Sequence, residues 1–336
     1  MKSKPSSVDI ILSFPPSLAK GLNYNSSSIR KLLKTAGLPT SEVTPEKNLI
    51  KSKVSKSNAQ SNRYYLKTEI HGEELNPWDQ AHLSVKAANT FGAFAEPDIL
   101  HMQTIQKKLN SNPFSKSLQN PEDAVDADWP PKKNIIWHLD DDYSQLRSAR
   151  NRVISETDFI PRIAHLDTGY TNHSIIPNSI RLNPLQKNFV EGENSNEAKD
   201  TLVDGLLKMP GHGTGTLGLL AGRQLSIDTD NGMFQEEIGV APNAEVICCR
   251  ISPTVVLFKT SAFAKALNYI TDLHFSGQRI DVVSMSMGGA PSKAWTEAVN
   301  RAYMAGITIV CAAGNHFNGL PTKHLVFPAR YGRVIA

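Results

Sequence analysis

The chain has 336 residues, 40% hydrophobic and 20% charged, with 36 basic against 32 acidic side chains and a net charge of +4. That length holds one large domain and a smaller one, the composition is an ordinary globular balance, and the mild basic excess reads as solvated surface rather than a nucleic-acid or membrane patch. The three cysteines, Cys248, Cys249 and Cys311, exclude a disulfide framework, because the count is odd and neighbours on a strand point to opposite faces.

Residues 1–62 read as a flexible or disordered segment. Ser6-Ser7, Ser26-Ser27-Ser28 and the stretch from Lys51 to Arg63 are polar and offer little apolar area to offset the entropy of ordering. The apolar run from Val8 to Phe14 is cut by Pro15-Pro16. It is too short for a secretory signal, and no segment is apolar enough to span a bilayer. The expected location is cytoplasmic, with no membrane and no nucleic-acid partner.

Residues 63–104 read as a small α/β module. A strand runs from Tyr64 to Ile70, a helix presents Trp78, Ala81, Val85 and Ala88, and Gly92 breaks it before a strand from Phe94 to Asp98. Residues 105–134, with Pro113, Pro121, Pro130 and Pro131, read as a linker.

The larger domain spans 135–336. Apolar strands are expected at 162–166, 244–251, 281–287 and 307–313. Helices are expected from His212, around Phe263, Ala266, Leu267 and Ile270, and around Ala294, Ala298, Val299, Ala302 and Tyr303. Ser292 caps the last helix and Gly306 stops it. Strands alternating with helices, the strands almost continuously apolar, imply an α/β fold: a parallel sheet with helices on both faces.

In such a sheet functional groups collect at the carboxyl ends of the strands. Asp167 follows the strand at 162–166, in Ile163-Ala164-His165-Leu166-Asp167-Thr168-Gly169. Ser286-Met287-Gly288-Gly289 ends the strand at 281–287. Asn315 follows the strand at 307–313, in Val310-Cys311-Ala312-Ala313-Gly314-Asn315. His212 opens a helix in Gly211-His212-Gly213-Thr214-Gly215-Thr216. An imidazole titrates near neutrality and can take a proton from a hydroxyl and return it to a leaving group. A carboxylate fixes its tautomer, and a side-chain amide can stabilise an oxyanion.

The bland alternatives are weaker. Gly213-Thr214-Gly215-Thr216-Leu217-Gly218 fits the dinucleotide pattern, but Met209-Pro210 stands where a strand should precede it. Ser284 and Ser286 lie in or at the end of a strand, with no nucleophile elbow. Asp140-Asp141-Asp142 reads as a solvated loop. His138, His165, His173, His316 and His324 lack ligand spacing and read as structural.

At these motifs the chain resembles the subtilisin-like serine proteases. The aspartate segment, the Gly-His-Gly-Thr segment, Ser284 to Gly289, Ala312 to Asn315, and Phe327 to Ala336 each match a family motif, and Asp, His and Asn come in the family's order. The resemblance covers residues 135–336. It implies that Asp167 orients His212, that His212 is the general base, and that Asn315 donates to the oxyanion. Ser286, Met287 and Gly288 would add a polypeptide substrate as a strand, and Ala312, Ala313 and Gly314 would line the adjoining pocket. The small module resembles the family's inhibitory propeptide, a partner in cis. No cofactor is required for catalysis; structural calcium is frequent in the family, but no ligand set can be assigned. Gly215 stands where the family has a second histidine. No serine follows Asn315, so the nucleophile's Gly-Thr-Ser motif is expected beyond Ala336, the domain is read as incomplete, and the chain as inactive by itself. The alternative reading is a pseudo-protease, a peptide-binding or interaction module.

Overall fold

A computed structural model describes residues 7–14, 26–35, 40–45, 62–69, 81, 83–86, 93–98, 137–142, 144–202, 209–229, 232–257, 259–314 and 325–336. In chain order the elements are β1 (Ser7–Phe14), α1 (Ser26–Thr35), β2 (Thr40–Pro45), β3 (Asn62–Glu69), β4 (Phe94–Pro97), α2 (Leu146–Glu156), β5 (Arg162–Asp167), α3 (Asn178–Arg181) and β6 (Lys187–Asn188). There follow α4 (His212–Ala221), β7 (Gln224–Thr229), β8 (Gly232–Glu237), β9 (Glu245–Arg250), β10 (Val256–Leu257), α5 (Thr260–Phe275), β11 (Val282–Met285), β12 (Gly288–Gly289), α6 (Lys293–Met304) and β13 (Thr308–Cys311). They divide into two compact units. One holds 1–101, 258–279 and 289–305; the other holds 102–257, 280–288 and 306–336.

At 7–14, 26–35 and 40–45, which form β1, α1 and β2, the first unit corrects the reading of residues 1–62 as flexible. β1 is a central strand of a four-stranded sheet ordered β2-β3-β1-β4, antiparallel to both β3 and β4. Ser26-Ser27-Ser28, read as disordered, opens α1. The physical reason is pooling. Ile10, Leu12 and Phe14 alternate onto one face of β1 and join Ile29, Leu33, Val43, Tyr64, Leu66, Ala81 and Ala95 in one buried cluster. Each short apolar set is too small alone, but together they bury enough area to offset chain entropy. Among the described residues the module therefore includes β1, α1 and β2, all ahead of residue 63. β3 and β4 are not neighbours in it, because β1 lies between them. The expected linker, 105–134, lies outside the described residues.

The opposite face of that sheet carries charge to α5 and α6. Glu96 accepts from the N–H groups of Lys293 and Ala294, at 2.8 and 2.9 Å. Asp98 accepts from Thr260 Oγ1 and Ser261 N, at 3.0 and 2.9 Å. These carboxylates satisfy amide groups that a helix start leaves unpaired. Arg63 pairs with Glu297, and Lys265 sits over the Tyr65 ring. Ser292 caps α6 as expected, accepting from Trp295 N at 3.1 Å. The helices lock together through Phe263 and Trp295, whose ring centroids are 4.7 Å apart. The boundary drawn at 135 is thus too simple: α5 and α6 cluster with β1–β4 although they follow the second unit's strands in sequence.

The second unit is built on a five-stranded sheet, β13-β11-β5-β9-β6, every neighbouring pair parallel. β5 and β9 are buried on both faces along nearly their whole length, as a central parallel strand must be. The edge strand β13 alternates buried and exposed. Ile163, Val246 and Cys248 face Leu217 and Ala221 of α4 in the unit's apolar cluster. Residues 224–229 and 232–237, for which no element was expected, pair antiparallel as β7 and β8. Among the described residues no helix is long and apolar enough to cross a membrane.

Candidate active site

Asp167 ends β5 and is fully buried. β5 points residues 163, 165 and 167 to the face covered by α4. α4 starts at His212 because Gly211, at φ 79°, turns the chain there, and its amide donates to Asp200 Oδ2 at 3.0 Å. Gly213 must be glycine: a methyl group there would lie 2.1 Å from Gly169 O and 3.1 Å from Asp167 Oδ1. That close approach lets the helix start press onto the Asp167-Thr168-Gly169 turn. Gly213 N donates to Thr168 Oγ1 at 3.0 Å, and Thr171 N donates to Thr214 Oγ1 at 2.8 Å.

The result is a short contact: His212 Nδ1 lies 2.7 Å from Asp167 Oδ1. An ionised carboxylate only accepts, so Nδ1–H donates and Nε2 keeps the basic lone pair. Thr168 N adds a second bond to Oδ1 at 2.7 Å, and Thr216 Oγ1 donates to Oδ2 at 3.1 Å. Burial pushes the Asp167 carboxyl up, but the His212 hydrogen bond, the neighbouring imidazoles and Thr168 N outweigh it and hold it below its ordinary value. The Asp167 hydrogen bond lifts His212 above the ordinary imidazole value against the effect of its own burial, helped by the charges of Asp167 and Asp200. The pair can therefore hold a proton on Nδ1 and offer Nε2 as a general base.

Two other predicted positions, Ser286 and Ala312, follow the carboxyl ends of β11 and β13 in the same parallel sheet. Ser284 is opposite His165 and Met285 is opposite Cys311, so Ser286 leaves β11 beside the end of β5, and Ala312 leaves β13 beside the end of β11. Ser286 is exposed, Met287 buried and Gly288 half-buried; Ala312 is half-buried, and Ala313 and Gly314 are exposed. Ala312 N donates to Met285 O at 3.0 Å and Val326 N to Ala313 O at 3.0 Å. Gly288 and Gly314 both crowd Val326: added methyls would come within 2.6 and 2.7 Å of its side chain. Asn315 lies outside the described residues. Among those described, no group of three or more His, Cys, Asp or Glu side chains converges as a cation site.

The sequence pattern of the subtilase family matches residues 161–336, more than half of the chain. The chain belongs to the subtilase family. It is 32% identical over 180 residues to the major intracellular serine protease of Bacillus subtilis strain 168, covering 52% of this chain and 49% of that protein. It is 32% identical over 149 residues to subtilisin DY of Bacillus licheniformis, covering 44% and 46%. The chain thus spans about half the length of the curated relatives it matches. Among solved structures, Sphericase is 20% identical over 56% of this chain and 58% of its own, with a TM-score of 0.35.

Sequence reasoning missed part of this subtilase's site. His165 was assigned to structure, and Thr216 to no role, yet both reach the Asp167 carboxylate region. The signal was present: His165 is two residues from Asp167 on a strand, and Thr216 is four from His212 on a helix, so each shares a face with its partner. Arg250 was also missed. It is fully buried, forks onto Glu193 at 2.8 and 3.0 Å and donates to Thr168 O. It anchors the turn that follows Asp167.

Proposed function

We propose that the chain carries the charge-orienting and proton-transfer groups of a serine endopeptidase. The observation that carries this reading is the 2.7 Å bond from His212 Nδ1 to the buried Asp167 Oδ1. His212 Nε2 takes the proton of a serine hydroxyl as that oxygen adds to a peptide carbonyl. Asp167 stabilises the imidazolium, which then gives the proton to the leaving amine. The acyl group is released when water repeats the sequence. Asn315 supplies an amide donor for the oxyanion, a contribution worth roughly 2.7–4 kcal/mol at such positions. Ser286, Met287 and Gly288 pair with an extended polypeptide, and Ala312, Ala313 and Gly314 form the floor of the adjoining subsite. The hydroxyl is that of the family's Gly-Thr-Ser motif, and residues 316–336 contain no serine. Residues 7–98 act as a propeptide in cis; their support is the sheet face whose Glu96 and Asp98 bond the starts of α6 and α5.

The test is hydrolysis of a fluorogenic peptide by the protein that includes the Gly-Thr-Ser segment, alongside its Asp167→Asn variant. Cleavage is expected, with kcat falling by about four orders of magnitude in the variant, since asparagine selects the wrong imidazole tautomer. Peptide binding without cleavage in the unaltered protein would leave a pseudo-protease instead.

A further inference from the structure

We infer that His165 and Thr216 are positioning residues that steer the Asp167 carboxylate through a directed hydrogen-bond relay, an inference resting on the hydrolytic reading above. β5 and α4 face each other as a two-rung ladder. The outer rung is Asp167 with His212. The inner rung is His165 with Thr216, whose Nε2 and Oγ1 lie 3.0 Å apart. Thr216 Oγ1 joins the rungs, 3.1 Å from Asp167 Oδ2. His165 Nε2 is itself 3.9 Å from that oxygen, with side-chain exposures of 4% for His165 and 0% for Asp167.

The direction of the relay follows from donor chemistry. Thr216 has one hydroxyl proton and four candidate acceptors: His165 Nε2 at 3.0 Å, Asp167 Oδ2 at 3.1 Å, and the His212 and Gly213 carbonyls at 3.3 Å. Of these only the carboxylate is charged, so it takes the proton. The Thr216 oxygen then presents lone pairs to His165, which must donate from Nε2. That bond excludes the neutral Nδ1–H tautomer, and the buried surroundings of His165 favour the neutral Nε2–H ring over the imidazolium. Cys248 stands opposite it in the sheet with its thiol pushed up to about 12 by burial. Burial also holds His165 below the ordinary imidazole value, ahead of the opposing charge of Asp167 and the like charge of His212. Asp167 therefore faces one imidazolium, His212, and not two. With Oδ2 engaged from below, Oδ1 is turned to His212. Asp200 is the other carboxylate that acts on His212, and it holds the Gly211 amide before the helix.

Two readouts in the chain of residues 1–336, with histidines labelled in nitrogen-15, decide the matter without substrate. Long-range proton–nitrogen spectra are expected to show His165 as neutral Nε2–H across about pH 5–9, a window in which an ordinary histidine titrates. An Nδ1–H form or a charged ring at neutral pH would overturn the relay. In Thr216→Val, Oδ2 loses a donor, charge on the carboxylate is less shared, and the His212 titration midpoint is expected to move up. Thr216→Ser, which keeps the hydroxyl, is expected to retain the original midpoint. An unchanged or lowered midpoint in Thr216→Val sinks the inference, and Thr216→Ala provides the same arm should the valine variant not fold. Failure of the hydrolytic reading would appear separately, as absence of peptide cleavage with the spectra as expected.

Discussion

Asp167 and His212 shift in opposite directions, the carboxyl below 3.8 and the imidazole above 6.5. For His212 the folded value exceeds the unfolded one, so its stabilisation is full below 6.5 and fades as pH rises through the folded value. For Asp167 the folded value is depressed, so its stabilisation is full above 3.8 and fades as pH falls through the folded value. The contact is therefore worth most between 3.8 and 6.5. Urea titrations of the chain and of His212→Ala are expected to differ most in that window and to converge as pH rises beyond it. A stability difference independent of pH would contradict the ion-pair geometry. The residues of this pair were legible because each sits in a compact motif with unusual neighbours, Asp-Thr-Gly and Gly-His-Gly-Thr. His165 and Thr216 were not, because their significance lies in which oxygen each one reaches.

α6 shows both sides of what an element's sequence discloses. Ser292, the apolar stripe from Ala294 to Ala302 and the stop at Gly306, with φ 83°, define it locally, because a cap and a 3.6-residue period are short-range properties. Its second cap is remote: Glu96 bonds the Lys293 and Ala294 amides from 197 and 198 residues away. Burial lifts the Glu96 carboxyl above its ordinary value, although those two amides and Arg63 oppose it. Glu96→Ala strands one buried donor, Ala294 N, and one part-buried donor, Lys293 N, and is expected to cost about 1–3 kcal/mol in chemical denaturation. A smaller effect than a few tenths of a kcal/mol would mean that water replaces the carboxylate there. No periodicity in residues 289–305 could have announced this partner, since a helix start reports only that it needs an acceptor.

At the scale of the whole molecule, the grouping of α5 and α6 with β1–β4 has a direct consequence. Asp98, Glu96, Arg63 and Asp9 contribute bonds or ion pairs to these helices. A chain lacking residues 1–98 is expected to lose hydrogen-exchange protection throughout the first turns of α5 and α6. Unchanged protection would show that the helices need nothing from the amino-terminal sheet. Sequence order hid this arrangement, because 258–279 and 289–305 alternate with strands of the other unit and read as ordinary crossover helices.

The sequence by itself determined the α/β class, the strand and helix rhythm from 162 onward, the Ser292 cap, and the aspartate and histidine that meet. All of these follow from short-range patterning or from compact motifs. Only the tertiary structure decided that the serine-rich amino-terminal stretch supplies a central strand, that Arg250 anchors the Asp167 turn, and that His165 and Thr216 lie beneath the carboxylate. These depend on contacts between residues tens to hundreds of positions apart, and what fixes them is the pooled burial of side chains that individually commit to nothing.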